Sequence, residues 1–367
     1  MSIQKIYKVI GIMSGTSMDG IDISFIETDG ENYVSVICEK SYNYSNNYKR
    51  KLKKLINQVN LYKIKNKKKI EDTFITNKFI SYINKFIKEE KISKSVIDFI
   101  GLSGQTIIHD PKNKISLQLG SCKIIQKKLK IKIIGNFRDE DIKKGGEGAP
   151  IGAFYHKYII KKFKKKSVIL NIGGIANITY YNKNKLIAFD IGPGNSIIDD
   201  LSFHFYKNFY DKNGEKALKG KINIDFIKKY KTDHFFKLKY PKSLDRNYFH
   251  KYTSNLKKIK NIDAISTASK MTVESIILGL KKLNKKVYNI IITGGGRKNK
   301  FIINNLKKHF NKRKIKIILI DKLKINGDFI ESQTFAYLAI RSIRKLPLSL
   351  PTTTGVKKPI SGGEIFE

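Results

Sequence analysis

The sequence predicts an α/β protein of two domains. Three observations carry this. β-branched runs alternate with stretches of helical periodicity along the chain. At 367 residues and 41% hydrophobic content, the chain is too long for one ordinary core and apolar enough to bury two. Three glycine-rich turns each follow directly on a β-rich run.

Taken in order, residues 6–12 form a β-branched run that breaks into small polar residues and resumes at 21–26. That predicts a strand, a tight polar turn and a returning strand. A strand is expected at 34–42, then two helices, the second placing Ile70, Phe74, Phe79, Ile83, Phe86 and Ile87 at helical spacing as a core stripe. Strands follow at 99–103, ending in a turn at Gly104, Gln105 and Thr106, then at 115–119 and 131–134. The second half repeats the order of elements without repeating the sequence: strand 168–172, a turn at Gly173 and Gly174, strands 178–181 and 186–190, helix 196–205. After them come helix 264–283, strand 287–293, a turn at Gly294, Gly295 and Gly296, helix 300–310, strand 315–320 and helix 329–343. No Pro/Gly-rich linker divides the halves. The expected first domain is 1–134 with a returning segment 344–367, and the second is 135–343.

Composition narrows the class. Two cysteines, Cys38 and Cys122, build neither a disulfide framework nor a zinc site, which fits a reduced, cytoplasmic protein. The N-terminal apolar run is interrupted by Lys5 and Lys8 and reads as a strand, not a signal peptide, and no apolar stretch is long enough to span a bilayer. Lys and Arg total 73 against 31 Asp and Glu, a net charge of +42. The excess is nearly all lysine, scattered in short runs such as 67–69 and 164–166, with no arginine or aromatic pattern for base readout. It reads as a solvated coat, with no specific nucleic-acid partner and no membrane.

The glycine turns carry the chemistry. Ser14, Gly15, Thr16, Ser17 and Gly20 would expose backbone N–H groups and hydroxyls with little bulk, as phosphate oxygens require, with Asp19 beside them. An ordinary hairpin explains the same residues without a ligand. The second turn, with Gly192, Gly194 and Asn195, follows a strand and opens a helix, so its N–H groups would face phosphate with the helix dipole in support. The third, Gly294, Gly295 and Gly296, also joins strand to helix. The ordered set is similar to the sugar kinase, Hsp70 and actin superfamily, in which two actin-like (RNase H-like) domains hold a nucleotide in the cleft between them.

A closer resemblance lies in a series of short runs: 15–22; Gly104, Gln105 and Thr106; Phe137 and Arg138; 145–150; 171–179; 189–195; and Pro241, Lys242 and Ser243. Gly294 to Gly296, Gly327 and Asp328 with Glu331, and Leu350 and Pro351 with Thr354 and Gly355 complete it. Together they resemble the anhydro-N-acetylmuramic acid kinase family, in family order over nearly the whole chain. Three positions depart from that pattern: Asn136, Ser103 and Glu147 stand where Asp, His and Gln are expected.

The resemblance implies an ATP- and Mg²⁺-dependent phosphotransferase of peptidoglycan recycling. It would open 1,6-anhydro-N-acetylmuramic acid with water and phosphorylate O6, giving N-acetylmuramic acid 6-phosphate and ADP. It makes Asp190 the base and Glu331 a catalytic carboxylate that positions substrate or water. Gly15, Thr16, Ser17, Met18, Asp19, Gly20, Ile21 and Asp22 would bind nucleotide, with Gly192, Gly194, Asn195 and Gly294 to Gly296. Gln105, Thr106, Arg138, Lys242 and Ser243 would meet the sugar. Metal ligands stay unassigned, and a homodimer is left open. Residue by residue, other readings stand beside these: Asp190 as a turn cap, Glu331 as part of a capping box with Asp328, Gln105 and Thr106 as satisfying a turn, Arg138 as a surface charge, His109 and His156 as structural. Two alternatives remain for the whole chain: a superfamily kinase acting on another sugar or acid, or a basic nucleic-acid or membrane-surface binder on a degenerate kinase fold.

Overall fold

The computed structural model describes residues 5–15, 18–61, 73–163, 165–245 and 248–367. Thr16, Ser17, Ile70, Lys164 and the lysine run 67–69 lie outside the described residues. The strands are β1 Tyr7–Ser14, β2 Gly20–Thr28, β3 Val34–Asn43, β4 Phe99–Asp110, β5 Ile115–Leu119, β6 Ile133–Gly135, β7 Ser167–Ile172, β8 Ile175–Asn182, β9 Lys185–Pro193, β10 Asn289–Thr293, β11 Lys316–Leu319 and β12 Glu364–Phe366. They fall into two compact units, Met1–Tyr158 with Phe329–Glu367, and Ile159–Asp328. Both expected boundary positions, 134/135 and 343/344, lie inside the first unit.

In the first unit the sheet runs β12-β6-β4-β1-β2-β3, with β5 beside β4. The β1–β2 and β2–β3 pairs are antiparallel, and β1–β4 and β4–β6 are parallel. Ile10 and Ile12 of β1 join a core with Phe79, Ile83 and Phe86 of helix Thr73–Glu89, the expected apolar stripe. Gly11 and Gly101 are register partners on β1 and β4. A Cβ on Gly11 would lie 1.9 Å from the Ser332 carbonyl oxygen, and one on Gly101 2.2 Å from that of Phe335. Bare backbone at these two positions lets helix Ile330–Ile343 lie directly on the sheet. β4 does not stop at the expected turn. It continues to Asp110 because β5 pairs with it, and a register shift between Thr106 and Ile108 absorbs the irregularity.

The second unit has the order β11-β10-β7-β8-β9. Its β7–β8 and β8–β9 pairs are antiparallel, and β7–β10 and β10–β11 parallel. The plan of the first unit, an antiparallel three-strand meander continued by parallel strands from its first member, therefore recurs without a repeated sequence. Helix Asn261–Leu283 covers this sheet with Ile265, Ala268, Met271 and Ile276, in one core with Phe189 and Ile191 of β9. Between residues 207 and 260, where the sequence offered no long periodic run, short helices Ile224–Lys231 and His234–Lys237 pack an aromatic cluster of Tyr230, Phe235, Phe236 and Phe249.

Candidate active site

The turn between β1 and β2 is braced from beneath. Ser14 Oγ donates to Gln105 Oε1 at 2.6 Å and lies 2.8 Å from the Tyr44 hydroxyl, while Gln105 Nε2 donates to the Gly15 carbonyl at 3.3 Å. Gln105 is 0% exposed, and these bonds give it the turn-supporting part that stands beside a sugar contact. Met18 takes a left-handed conformation (φ 58°) and donates its N–H to the Gly15 carbonyl at 3.2 Å. Asp19 keeps half its side chain exposed at the turn, 3.7 Å from Lys49 Nζ. Gly20 and Ile21 already belong to β2. A Cβ on Gly20 would come 2.2 Å from the Tyr42 carbonyl oxygen, and Ile21 is core, so both have packing reasons for their identity. Asp22 accepts from Ser41 Oγ at 2.5 Å across the β2–β3 pair. Thr106 is half-buried at the β4 irregularity, opposite Gln118.

By topology, the partner of this turn in the second unit is the β7–β8 hairpin with Gly173 and Gly174. The expected phosphate donors of the 192–196 turn are already engaged there. Gly194 and Ser196 donate their N–H groups to the Gly174 carbonyl at 2.9 and 3.2 Å, and Asn195 donates to that of Gly173 at 2.8 Å. A Cβ on Gly194 would lie 2.2 Å from the Gly173 oxygen, and one on Gly192 2.5 Å from Ser275 Oγ. These glycines let the turn seat on the hairpin and on helix Asn261–Leu283.

In the third turn Gly294 is left-handed (φ 76°), and a Cβ there would meet Asn171 Oδ1 at 2.5 Å; one on Gly296 would meet Ile172 Cγ2 at 2.2 Å. Thr293 Oγ1 donates to Asn171 Oδ1 at 3.1 Å, and Asn195 Nδ2 to the Ile172 carbonyl at 3.3 Å. Gly173 and Gly295 differ from the rest. The nearest atoms to an added Cβ are 3.6 and 3.9 Å away, so packing does not explain either glycine. Gly173 and Gly174 lie in the Asn171-to-Thr179 run, where a two-residue hairpin loop joins β7 to β8.

Asp190 sits near the end of β9, 4% exposed. Its N–H donates to the Lys242 carbonyl at 3.0 Å, and its Oδ2 accepts the Leu244 N–H at 2.9 Å. The Pro241, Lys242 and Ser243 run is thereby joined to the expected base. Below it, Phe189 stacks on Tyr240 with ring centroids 4.8 Å apart. Lys242 is also buried: Nζ donates to the Phe235 carbonyl at 2.7 Å and lies 3.9 Å from that ring's centroid. Burial, and then the Lys282 charge, push its ammonium down to about 8 against the opposing pull of Asp190. Ser243 is half-buried.

A further group of motif residues converges in the first unit. Arg138 Nη1 donates to the Gly148 carbonyl at 2.9 Å. Asp141 Oδ1 accepts from the Gly148 N–H at 2.6 Å and Oδ2 from Thr354 Oγ1 at 2.5 Å, while the Glu147 N–H reaches the Thr354 carbonyl at 2.7 Å. The 145–150 and 350–355 runs thus form one structure. His109, 3.1 Å from Ser116 Oγ through Nδ1, is pushed down to about 3 by burial and by Arg138, and burial takes His156 to about 4; both are neutral at physiological pH. Glu331 is exposed in the first turn of helix Ile330–Ile343. The capping box expected with Asp328 does not form: the N-cap is Phe329, and Asp328 pairs instead with Arg297 and Lys298 at 2.8 and 2.6 Å.

Two RNase H-like domains, each opening on a hairpin with a small-residue turn, define an actin-like protein. The chain belongs to the anhydro-N-acetylmuramic acid kinase family, whose model matches residues 7–367. It is 37% identical to the anhydro-N-acetylmuramic acid kinase of Pelagibacter ubique, over 99% of each chain. The kinases of that name from Zymomonas mobilis and Brucella canis are 34% and 32% identical, the first over 97% of this chain and 98% of its own, the second over 97% of both.

Proposed function

We propose that the protein is an anhydro-N-acetylmuramic acid kinase, converting 1,6-anhydro-N-acetylmuramic acid, ATP and water to N-acetylmuramic acid 6-phosphate and ADP in peptidoglycan recycling. The observation that carries the mechanism is the buried Asp190 carboxylate, fixed by the Leu244 N–H on the same segment that bears Lys242 and Ser243. The 1,6-anhydro bridge is an internal acetal, so opening it needs water at C1. Asp190 takes one proton from that water as its oxygen bonds to C1 and the C1–O6 bond breaks. O6 then attacks the γ-phosphorus in line, and ADP leaves with the electrons of the broken P–O bond.

In this reading Gly15, Thr16, Ser17, Met18 and Asp19 are assigned to the nucleotide phosphates, as are Gly173 and Gly174, and Gly295 is assigned to the nucleoside. Gln105 stiffens the first turn. Thr106, Arg138, Ser243 and Glu331 are assigned to the sugar and the water. Mg²⁺ ordinarily takes one or two protein carboxylates together with phosphate oxygens and waters. The half-exposed carboxylate of Asp19 suits that requirement, and no group of three or more His, Cys, Asp or Glu stands ready to hold an ion alone among the described residues. When bound, the ion would neutralise charge on the transferring phosphoryl group.

No helix among the described residues is long and apolar enough to cross a membrane, and we place the enzyme in the cytoplasm, where ATP is available. Incubation with ATP, Mg²⁺ and the anhydro sugar, with products resolved by mass spectrometry, tests the assignment. A 6-phosphorylated, ring-opened sugar and equimolar ADP are expected. Turnover of a different sugar or acid in preference to the anhydro sugar would replace this substrate with another on the same fold.

A further inference from the structure

The register of the second unit's sheet sets four polar residues side by side. Thr293 of β10 is the partner of Asn171 on β7, Asn171 that of Asn177 on β8, and Asn177 that of Asp190 on β9. Two residues away along each strand, the corresponding row reads Ile291, Ile169, Thr179 and Ala188. The residues flanking Asn177 and Asp190 are Ala176 with Ile178 and Phe189 with Ile191, and all four belong to the core under helix Asn261–Leu283. The polar row therefore lies on the other face of the sheet. A bulge at Ile191, where the pairing passes from Ala176–Gly192 to Asn177–Asp190, sets the aim of the Asp190 side chain.

The two asparagines of this row are not equivalent. Asn171 is 7% exposed, and its Oδ1 accepts from Thr293 Oγ1 at 3.1 Å. Asn177 Oδ1 is buried too, yet no group among the described residues donates to it. A buried acceptor without a protein donor ordinarily serves a water or a ligand. Directly opposed residues of an antiparallel pair hold their Cβ atoms about 4.5–5.5 Å apart, which places the Asn177 oxygen and the Asp190 carboxylate within reach of one water molecule. We infer that Asn177 is a further catalytic residue, which together with Asp190 holds the attacking water. The inference rests on the proposed function, in which Asp190 is the base. The water donates one hydrogen to Asp190 and the other to Asn177 Oδ1, and this aims an oxygen lone pair at C1. As the oxygen bonds to C1, Asp190 takes the first proton, and the electron pair of the breaking C1–O6 bond goes to O6, which attacks the γ-phosphorus. The second hydrogen stays on the new C1 hydroxyl. A neutral amide suits this place, since it accepts as a carboxylate does without a second negative charge to compete for the proton.

Steady-state kinetics, calorimetric binding and melting temperatures of the full chain test this with Asn177→Ala, Asp190→Asn and the exchanged pair, Asn177→Asp combined with Asp190→Asn. Asn177→Ala should keep ADP and anhydro-sugar affinity within about twofold while kcat falls about 10²-fold, the scale of a lost reactant orientation. The exchanged pair puts the carboxylate on the other side of the same water and should turn over at least about tenfold faster than Asp190→Asn alone. A merely structural role would lower the melting temperature of Asn177→Ala and leave its kcat per folded molecule at the wild-type value; that result overturns the inference. An exchanged pair no faster than Asp190→Asn would show that Asn177 does not reach the water, and overturns it as well. Asp190→Asn separates the two layers. Near-normal turnover in this variant removes the base and the inference with it, whereas slow turnover there beside wild-type kcat in Asn177→Ala leaves the proposed reaction standing and overturns the role of Asn177 alone.

Discussion

Asp190 and Lys242 are bound to each other through the backbone, with the Asp190 N–H on the Lys242 carbonyl at 3.0 Å, and both side chains are buried. The lysine ammonium turns to the Phe235 carbonyl and ring, not to solvent. The proposed base therefore lies in the field of a desolvated cation whose position is fixed by the same loop that supplies the Leu244 N–H.

Asp190→Asn keeps the size of the side chain and an acceptor for the Leu244 N–H but loses basicity. It should retain sugar and ATP binding while kcat falls by roughly 10²- to 10⁴-fold, the usual worth of a general base. Glu331→Gln, at an exposed position, should be hurt less. Equilibrium binding by calorimetry beside kcat from coupled ADP release checks both. Near-normal turnover in Asp190→Asn would remove it as the base.

The glycines divide into those the fold needs and those it does not, and two alanine substitutions tell them apart. Gly194→Ala puts a methyl 2.2 Å from the Gly173 oxygen and should destabilise the protein by about 1–3 kcal/mol, read as a shifted urea midpoint. Gly173→Ala meets nothing closer than 3.6 Å, so stability should hold while ATP affinity falls. Unchanged ATP affinity in Gly173→Ala would take the β7–β8 hairpin out of the nucleotide site.

Lys242 supplies a prediction about pH. Its folded-state value, about 8, lies below the ordinary 10.5, so between those values the unfolded chain binds more protons than the folded one, and this group adds stability as pH rises. Below pH 8 the buried ammonium is a burden that Lys242→Met would lift. The stability of Lys242→Met relative to wild type should therefore decline by roughly 2 kcal/mol from pH 7.5 to 9.5, at 1.36 kcal/mol per pKa unit. Urea midpoints at the two pH values measure it; a constant difference would mean that Lys242 titrates in its ordinary range.

Most strands were legible because their β-branched runs are bounded by small polar residues, and helix Thr73–Glu89 because its aromatics keep helical spacing. β4 was cut short because Gly104, Gln105 and Thr106 look like a turn, and nothing local announces that β5 pairs across them. Residues 207–260 were illegible because their order comes from aromatic packing around Tyr230 and Phe249, contacts distant in sequence. The motifs single out Asp190 and the 241–243 run separately, and the structure joins them through the hydrogen bonds of Asp190 to Lys242 and Leu244. The packing reasons for Gly192 and Gly194 are not legible, since a glycine that admits a phosphate and one that admits a neighbouring atom have the same letter. Only the hydrogen bonds from Gly194 and Asn195 to Gly174 and Gly173 distinguish them. For Gln105 the sequence leaves a turn contact and a sugar contact side by side, because its partner Ser14 is far away in the chain.

The fate of water tests the central claim most directly. Turnover of the anhydro sugar and ATP in ¹⁸O-labelled water should place the label on the C1 hydroxyl of the product and none in its phosphate, because water attacks C1 while O6 receives the phosphoryl group. Label in the phosphate, or an unlabelled product with the anhydro bridge intact, would contradict the account and show that the fold carries a different acceptor chemistry.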